Sequence, residues 1–211
     1  MGLPARLRLA RLAAVVSSNQ VTPALLDAGI DLLVLADSGD PAQDAEEFQR
    51  LRRSRRRSPL LACANPEAAK LAKADIVQLA AQPRWRLGGY PRGHQHGLVG
   101  CEVRASWQLR WPGAAVDYLF VGPNPTPVAI KLALSHQPVF ATGSLPWFAY
   151  GEFDEAAAAA LITQGVGRIA LSATALAASS DPPRLLRELN KLLADAWRSE
   201  AARSYRLAVL G

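Results

Sequence analysis

Eight short apolar runs alternate with helix-like segments along this chain, and that alternation constrains its fold more than any other feature. The runs are Leu12–Val16, Ile30–Leu35, Leu60–Cys63, Ile76–Leu79, Leu98–Cys101, Tyr118–Val121, Val139–Thr142 and Ile169–Leu171. They suit short, fully buried strands. Several of the intervening segments carry helix-start chemistry. Asp40-Pro41 predicts an N-cap and a first-turn proline for a helix over 41–53, and Asn65-Pro66-Glu67 opens another through Ala72 in the same way. Further helices are expected over about 22–28, 126–135 and 154–164. Asp181-Pro182-Pro183 starts a final helix to about Arg198, with Leu185, Leu186, Leu189, Leu192 and Leu193 in one apolar stripe.

Strands alternating with helices imply a parallel sheet. Eight such units in 211 residues favour closure, so the expected class is α/β, a single (β/α)8 TIM barrel over 1–211 with the final helix, 182–198, packed outside. An open doubly wound sheet would need a glycine-rich phosphate loop after its first strand, and Val16-Ser17-Ser18-Asn19 provides none.

Composition narrows the setting. No apolar run approaches the ~20 residues that span a bilayer, and Met1 to Arg11 lacks the apolar stretch and cleavage site of a signal peptide. Cys63 and Cys101 are too few for a disulfide framework, so the sequence predicts a cytoplasmic protein with no membrane partner. Part of the net charge of +6 is concentrated in Arg52, Arg53, Arg55, Arg56 and Arg57. With no aromatic residues interleaved for base stacking, this run is read as the solvated end of a helix, and no nucleic-acid partner is expected. Gly88, Gly89, Pro91, Gly93 and Gly97 make 83–97 mostly loop.

A smaller unit recurs in the second half. Gly113-Ala114-Ala115-Val116-Asp117 leads into Tyr118–Val121 and stops at Gly122-Pro123; Gly165-Val166-Gly167 leads through Arg168 into Ile169–Leu171 and stops at Ser172-Ala173. Small residues at a strand's end let a ligand approach the backbone, as in the phosphate sites of βα-barrels.

With the strands placed, the chain resembles the thiamine phosphate synthase family, which also contains a thiazole tautomerase branch. Val116-Asp117-Tyr118-Leu119-Phe120-Val121-Gly122-Pro123 is similar to that family's A-D-Y-(apolar)3-G-P strand, and Leu98-Val99-Gly100-Cys101-Glu102 to its I-I-G-V-S strand. Pro138-Val139-Phe140-Ala141-Thr142-Gly143-Ser144-Leu145 resembles P-V-(apolar)-A-I-G-G-I, and Gly165–Ala173 resembles G-A-D-G-V-A-V-(V/M)-S. Asp75–Leu79 is similar to D-G-V-H-L. The family joins an aminopyrimidine diphosphate to a thiazole phosphate with help from magnesium. The resemblance implies a phosphorylated small molecule as ligand, held by Gly143 and Ser144 after strand seven and by Ser172 and Ala173 after strand eight.

Much of the family's remaining machinery is not matched. Its Q-L-R-E-K is Val34-Leu35-Ala36-Asp37-Ser38 here, its N-D is Cys63-Ala64, and its G-Q-E-D is Ala80-Ala81-Gln82-Pro83. Its strand-five serine falls on Glu102, its T-x-T-K loop shortens to Asn124-Pro125-Thr126-Pro127 with Lys131 a turn away, and Pro123 stands where the tautomerase branch has histidine. Magnesium is therefore implied by the resemblance but its carboxylate ligands are not seen, and no cofactor is evident. Asp37, Cys63, Gln78, Glu102, Arg104 and Asn124 fall at or just beyond the expected carboxyl ends of strands, where barrels build active sites. Glu102 and Arg104, on one side of an extended segment, are read as an acid–base or anion-binding pair or as an ion pair at the barrel rim. Asp37 joins them as a candidate for chemistry. Cys63 fits a small buried residue better than a nucleophile, and His94-Gln95-His96 lies toward the amino-terminal face, away from chemistry.

Leu145–Gly151 is expected to be an aromatic lid or a patch buried in a homo-oligomer. Two functions are open at this point. One is a phosphate-binding barrel with altered or lost transferase activity. The other is a non-catalytic partner or regulatory subunit that uses the arginine cluster and the Trp147-Phe148-Tyr150 segment as contact surfaces.

Overall fold

A computed structural model describes the chain except for residues 54–58, 82–90, 105 and 111–115. Arg55, Arg56, Arg57, Gly88, Gly89 and the Gly113–Ala115 turn lie outside the described residues. The strands are β1 (Leu12–Val16), β2 (Leu32–Leu35), β3 (Leu60–Cys63), β4 (Ile76–Leu79), β5 (Leu98–Val103), β6 (Tyr118–Val121), β7 (Trp147–Gly151) and β8 (Ile169–Leu171). Each is parallel to its neighbours, and β8 returns to β1 with Ala170 opposite Ala13, which closes the barrel.

The described helices are α1 (Leu3–Leu9), α2 (Pro23–Leu26), α3 (Pro41–Arg53), α4 (Pro66–Leu71), α5 (Ser106–Arg110), α6 (Pro127–His136), α7 (Glu155–Thr163), α8 (Ala173–Ala178), α9 (Pro182–Ala196) and α10 (Glu200–Leu210). Their starts follow the capping chemistry in the sequence. Asp40 accepts from Ala42 and Gln43 N–H, Asn65 from Glu67 and Ala68 N–H, and Asp181 from Arg184 N–H. The final predicted helix ends at Ala196, and α10 extends beyond it. The apolar stripe of α9 is buried through Leu186, Leu189 and Leu193.

One strand is not where the sequence suggests. Val139–Thr142 forms turns, with Ala141 N–H bonding to Pro138 O and Ser144 N–H to Ala141 O. Strand seven is Trp147–Gly151 instead. The same P-x-F-A-x-G pattern occurs twice, at Pro138–Gly143 and Pro146–Gly151. The second copy brings Trp, Phe and Tyr, which fill a buried strand better than Val139 and Thr142 do. This places Gly143 and Ser144 before β7, on the amino-terminal face. It also turns the expected lid into barrel wall: Trp147 and Phe148 are buried, and Trp147 Nε1 donates to Gln137 O at 2.8 Å.

Within the barrel, large rings from one side meet small residues from the other. Tyr118, Phe120 and Phe148 on β6 and β7 share a cluster with Ala13, Ala62 and Ala170 on β1, β3 and β8. Gly100 on β5 is opposite Tyr118, and a Cβ there would lie 2.1 Å from Tyr118 Cζ. The bare backbone of β5 therefore makes room for that ring. Phe120 packs edge-on against Phe148 and stacks on Tyr150, so the filling continues to the carboxyl end.

The amino-terminal end is tied together by Arg168, the residue before β8, whose side chain is almost fully buried. It donates to Arg8 O at 2.8 Å, Val139 O at 3.1 Å and Ala10 O at 3.2 Å, and reaches the Tyr205 hydroxyl at 3.3 Å. The rings of Trp197 and Tyr205 lie 5.1 and 5.7 Å from its guanidinium carbon. Burial pushes its pKa down to about 10, so it remains charged at neutral pH.

Two stability outcomes follow from these contacts. Arg168→Met leaves three carbonyls without their donor and is expected to cost at least ~3 kcal/mol in urea unfolding; an unchanged midpoint would contradict the clamp. Gly100→Ala is expected to cost about 1–3 kcal/mol by overpacking against Tyr118. In a Tyr118→Leu background the same change should cost measurably less.

Candidate functional site

Barrel enzymes place their chemistry at the carboxyl ends of the strands, and the expected site residues divide over both ends of this one. Glu102, near the end of β5, is half-buried and receives the Nε–H of Arg104 at 2.5 Å. The two form the rim ion pair, with most of the Arg104 side chain in solvent. Tyr150 stands near them on β7, its phenol pKa raised by burial and then by the Glu102 charge. Asp37 lies in the loop after β2, where its carboxylate accepts from Gly39 N–H and Asn65 Nδ2, each at 2.9 Å. Because Asn65 also caps α4, Asp37 braces that helix start against the strand-two loop.

Other candidates have structural surroundings. Cys63 is buried, and desolvation raises its thiol to about 11, which leaves it protonated at neutral pH and unsuited to nucleophilic attack. Gln78 lies inside the barrel, with its Nε2 donating to Leu79 O. His94 contacts Asp75 at 3.3 Å, and Asp75 also pairs with Arg52, all at the amino-terminal face. An opening of about 750 Å³ lies at that face as well, beside α1. One of its charged residues, Asp31, is engaged in accepting the Arg11 and Leu12 N–H groups.

The ends of β7 and β8 form a different arrangement. Gly151 is opposite Leu171, and its carbonyl accepts Ser172 N–H at 2.9 Å. Ser172 is the N-cap of α8, its hydroxyl accepting from Ala175 N–H at 3.1 Å. The first two residues of α8, Ala173 and Thr174, then carry N–H groups that no carbonyl of their own helix can reach. Beside them lies a pocket of about 620 Å³, with polar lining from Ser17, Asn19, Gln20, Thr174 and Ser179. Gln20 holds one wall by donating to Ala173 O and accepting from Ser17 N–H, both at 2.9 Å.

Ser172 and Ala173 thus stand at the carboxyl end beside this pocket, while Gly143 and Ser144 do not. The carbonyls of Thr142 and Ser144 instead accept from Arg8 on the opposite face, at 2.8 and 3.3 Å. The residue that follows β7 at the carboxyl end is Glu152, whose N–H donates to Asn124 Oδ1 at 2.7 Å. The sequence reading missed α8 altogether, although Ser172 before Ala173-Thr174-Ala175 is a recognisable N-cap.

The magnesium that the resemblance implies does not fit these residues. A hard divalent ion needs converging oxygen ligands, whereas β3 ends in Cys63-Ala64 and β4 runs into Ala80-Ala81. Glu102 is engaged by Arg104, and Asp37 by Asn65 and its own loop. Among the described residues no three His, Cys, Asp or Glu side chains are grouped to hold a metal. Nor is any described helix long and apolar enough to cross a membrane.

No protein-family model matches the chain, and no curated protein matches it significantly. Solved structures do. Thiamine phosphate pyrophosphorylase from Pyrococcus furiosus is 17% identical with a TM-score of 0.69, over 92% of this chain and 99% of that one. The enzyme of the same name from Bacteroides thetaiotaomicron is 18% identical with a TM-score of 0.58, over 88% and 98%. (S)-3-O-geranylgeranylglyceryl phosphate synthase from Thermoplasma acidophilum, solved with sn-glycerol-1-phosphate, is 11% identical with a TM-score of 0.63, over 92% and 99%. At these identities the likeness is one of fold: the chain is a (β/α)8 barrel, as these three enzymes are.

Proposed function

We propose that this chain is a thiamine phosphate synthase-like barrel that binds a phosphorylated small molecule, without the metal-assisted release of diphosphate. The observation that carries this reading is α8, a short extra helix between β8 and the long outer helix α9. Many barrels bind phosphate with the loops after strands seven and eight and the N-terminus of such a helix. Ser172 orients the first turn of α8, Ala173 and Thr174 supply N–H donors, and the pocket beside them takes the organic part of the ligand. Thiazole phosphate is the candidate that the resemblance favours. With two buried thiols and no disulfide, the protein suits a reducing compartment, and we place it in the cytoplasm.

The loss of transfer chemistry rests on charge. A diphosphate leaving in a partly desolvated mouth needs cations or a metal ion beside it. The mouth offers Arg104, already paired with Glu102, while Glu152 adds a second carboxylate near Tyr150. The alternative of a regulatory subunit loses one of its two surfaces, since Trp147 and Phe148 are buried in the barrel.

Two measurements test the proposal. Inorganic phosphate or thiazole phosphate should raise the melting temperature in a saturable way. Ala173→Pro should weaken binding about tenfold, a loss near 1.4 kcal/mol, while the protein stays folded. Proline suits the first position of a helix, and Ser172 already has the extended backbone that precedes proline. Unchanged affinity in Ala173→Pro would remove α8 from the site. Purified protein given both synthase substrates and magnesium should form no thiamine phosphate, and normal turnover would refute the loss of transfer.

A further inference from the structure

A second pocket at the carboxyl end, of about 290 Å³, lies beside the loop after β6. Its walls are largely apolar: Val103, Leu109, Val121, Pro123, Pro125 and Ala129. Val103, Leu109 and Val121 belong to the core between sheet and helices, whereas Tyr118 and Phe120 fill the barrel interior. The pocket therefore lies outside the barrel wall, between β5, β6 and the helices α5 and α6. Arg104 is the one charged residue among its described lining. Its N–H is held by the side-chain oxygen of the buried Gln108, at 3.1 Å. The guanidinium gives its Nε–H to Glu102, and among the described residues nothing takes its two Nη groups.

The loop that forms the other wall is fixed and poor in donors. Pro123, Pro125 and Pro127 have no N–H. Gly122 N–H goes to Val103 O at 3.0 Å, and Asn124 N–H to Tyr150 O at 2.8 Å. The Asn124 side-chain oxygen accepts Glu152 N–H at 2.7 Å, and Thr126 Oγ1 caps α6 by accepting from Ala129 N–H at 3.2 Å. The wall is thus preformed, which lowers the ordering cost of binding. We propose that this pocket binds a small monocarboxylate with a compact apolar body, its carboxylate on the Nη edge of Arg104 and its body against the proline and valine walls. A carboxylate matches the planar guanidinium fork. A phosphate fits poorly, because it brings a third oxygen and a second charge to a wall with one cation and few donors. The volume, at the low end of the ~300–1,000 Å³ usual for ligand pockets, limits the body to a single ring or a short branched chain. This site is separate from the phosphate site proposed beside α8, and neither requires the other.

The test titrates the full chain with benzoate and with isovalerate, read by amide NMR shifts and calorimetry, with benzyl alcohol and inorganic phosphate as controls. At least one of the two carboxylates should bind with a Kd of about 1 mM or tighter, shifting the amides of Val103, Arg104, Thr126 and Ala129. Benzyl alcohol, of similar shape but uncharged, should bind at least about tenfold more weakly than benzoate, as the loss of a charge-assisted pair implies. Arg104→Gln should weaken carboxylate binding by about tenfold or more and leave benzyl alcohol unchanged. Ala129→Leu keeps a good helix former on α6 and fills the space, so it should abolish binding of every probe.

The inference is overturned if neither carboxylate shifts these amides at ten times that concentration. It is overturned equally if benzyl alcohol binds as tightly as benzoate, if Arg104→Gln keeps native affinity, or if phosphate shifts the same amides as strongly. The phosphate reading is followed separately at the Ala173 and Thr174 amides, so a failure at either site leaves the other standing. Should Ala129→Leu fail to fold, Arg104→Gln still decides, since most of that side chain is in solvent.

Discussion

A charged guanidinium buried at the base of the barrel holds together elements that are far apart in the sequence. Among the described residues Arg168 has no carboxylate partner in exchange for its lost hydration; it is surrounded by carbonyls of α1 and the residue that caps it, of the loop before β7, and by the rings of Trp197 and Tyr205. A buried charge is tolerated when its hydrogen-bonding capacity is filled, and the five donors of arginine can serve several carbonyls at once. The first helix, the last helix and the start of β8 therefore share one anchor. Trp197 adds to it by donating to Gly167 O at 2.8 Å. The closure of β8 on β1 is thus fastened from outside the sheet as well as within it.

This division of labour separates the two ends of the barrel. The amino-terminal end holds the arginine clamp, the Arg52–Asp75–His94 ion pairs and the Arg8 contacts to Thr142 and Ser144. The carboxyl end holds helix caps, the Glu102–Arg104 pair, the Asn124 contact and the α8 pocket. The ties between distant segments are concentrated at the base and the candidate site at the top, as the architecture of the fold favours. Within the top, the β5–β7 side carries the Glu102–Arg104 pair and a pocket of about 290 Å³ lined by Arg104, Gly122 and Asn124, while the larger pocket lies on the β8–β1 side beside α8.

Much of the fold was legible because strands and helix starts depend on local chemistry. The alternating runs and the Asp-Pro and Asn-Pro starts carried the barrel, and seven of the eight strands lie where the apolar runs are, within one or two residues. Strand seven was not legible because P-x-F-A-x-G occurs twice and the pattern alone cannot choose between copies. What decides is the barrel interior, where Phe148 meets Phe120 and Tyr118. The error carried Gly143 and Ser144 to the wrong end and hid the aromatic wall as a lid. Arg168 was equally unreadable, since its surroundings come from α1, the turn at Val139 and α10. The Glu102–Arg104 pair was visible because two residues apart on a strand share a face.

The resemblance in the second half pointed to the right fold, and the phosphate site we propose lies on its strand-eight flank. That claim is tested most directly by a crystal structure of the protein grown with inorganic phosphate and with manganese standing in for magnesium. The account predicts phosphate within hydrogen-bonding distance of the Ala173 and Thr174 N–H groups, Asn124 still on Glu152 N–H, and no manganese peak at the carboxyl ends of β2 to β5. Manganese bound between Asp37 and Glu102, with phosphate beside Arg104, would contradict it.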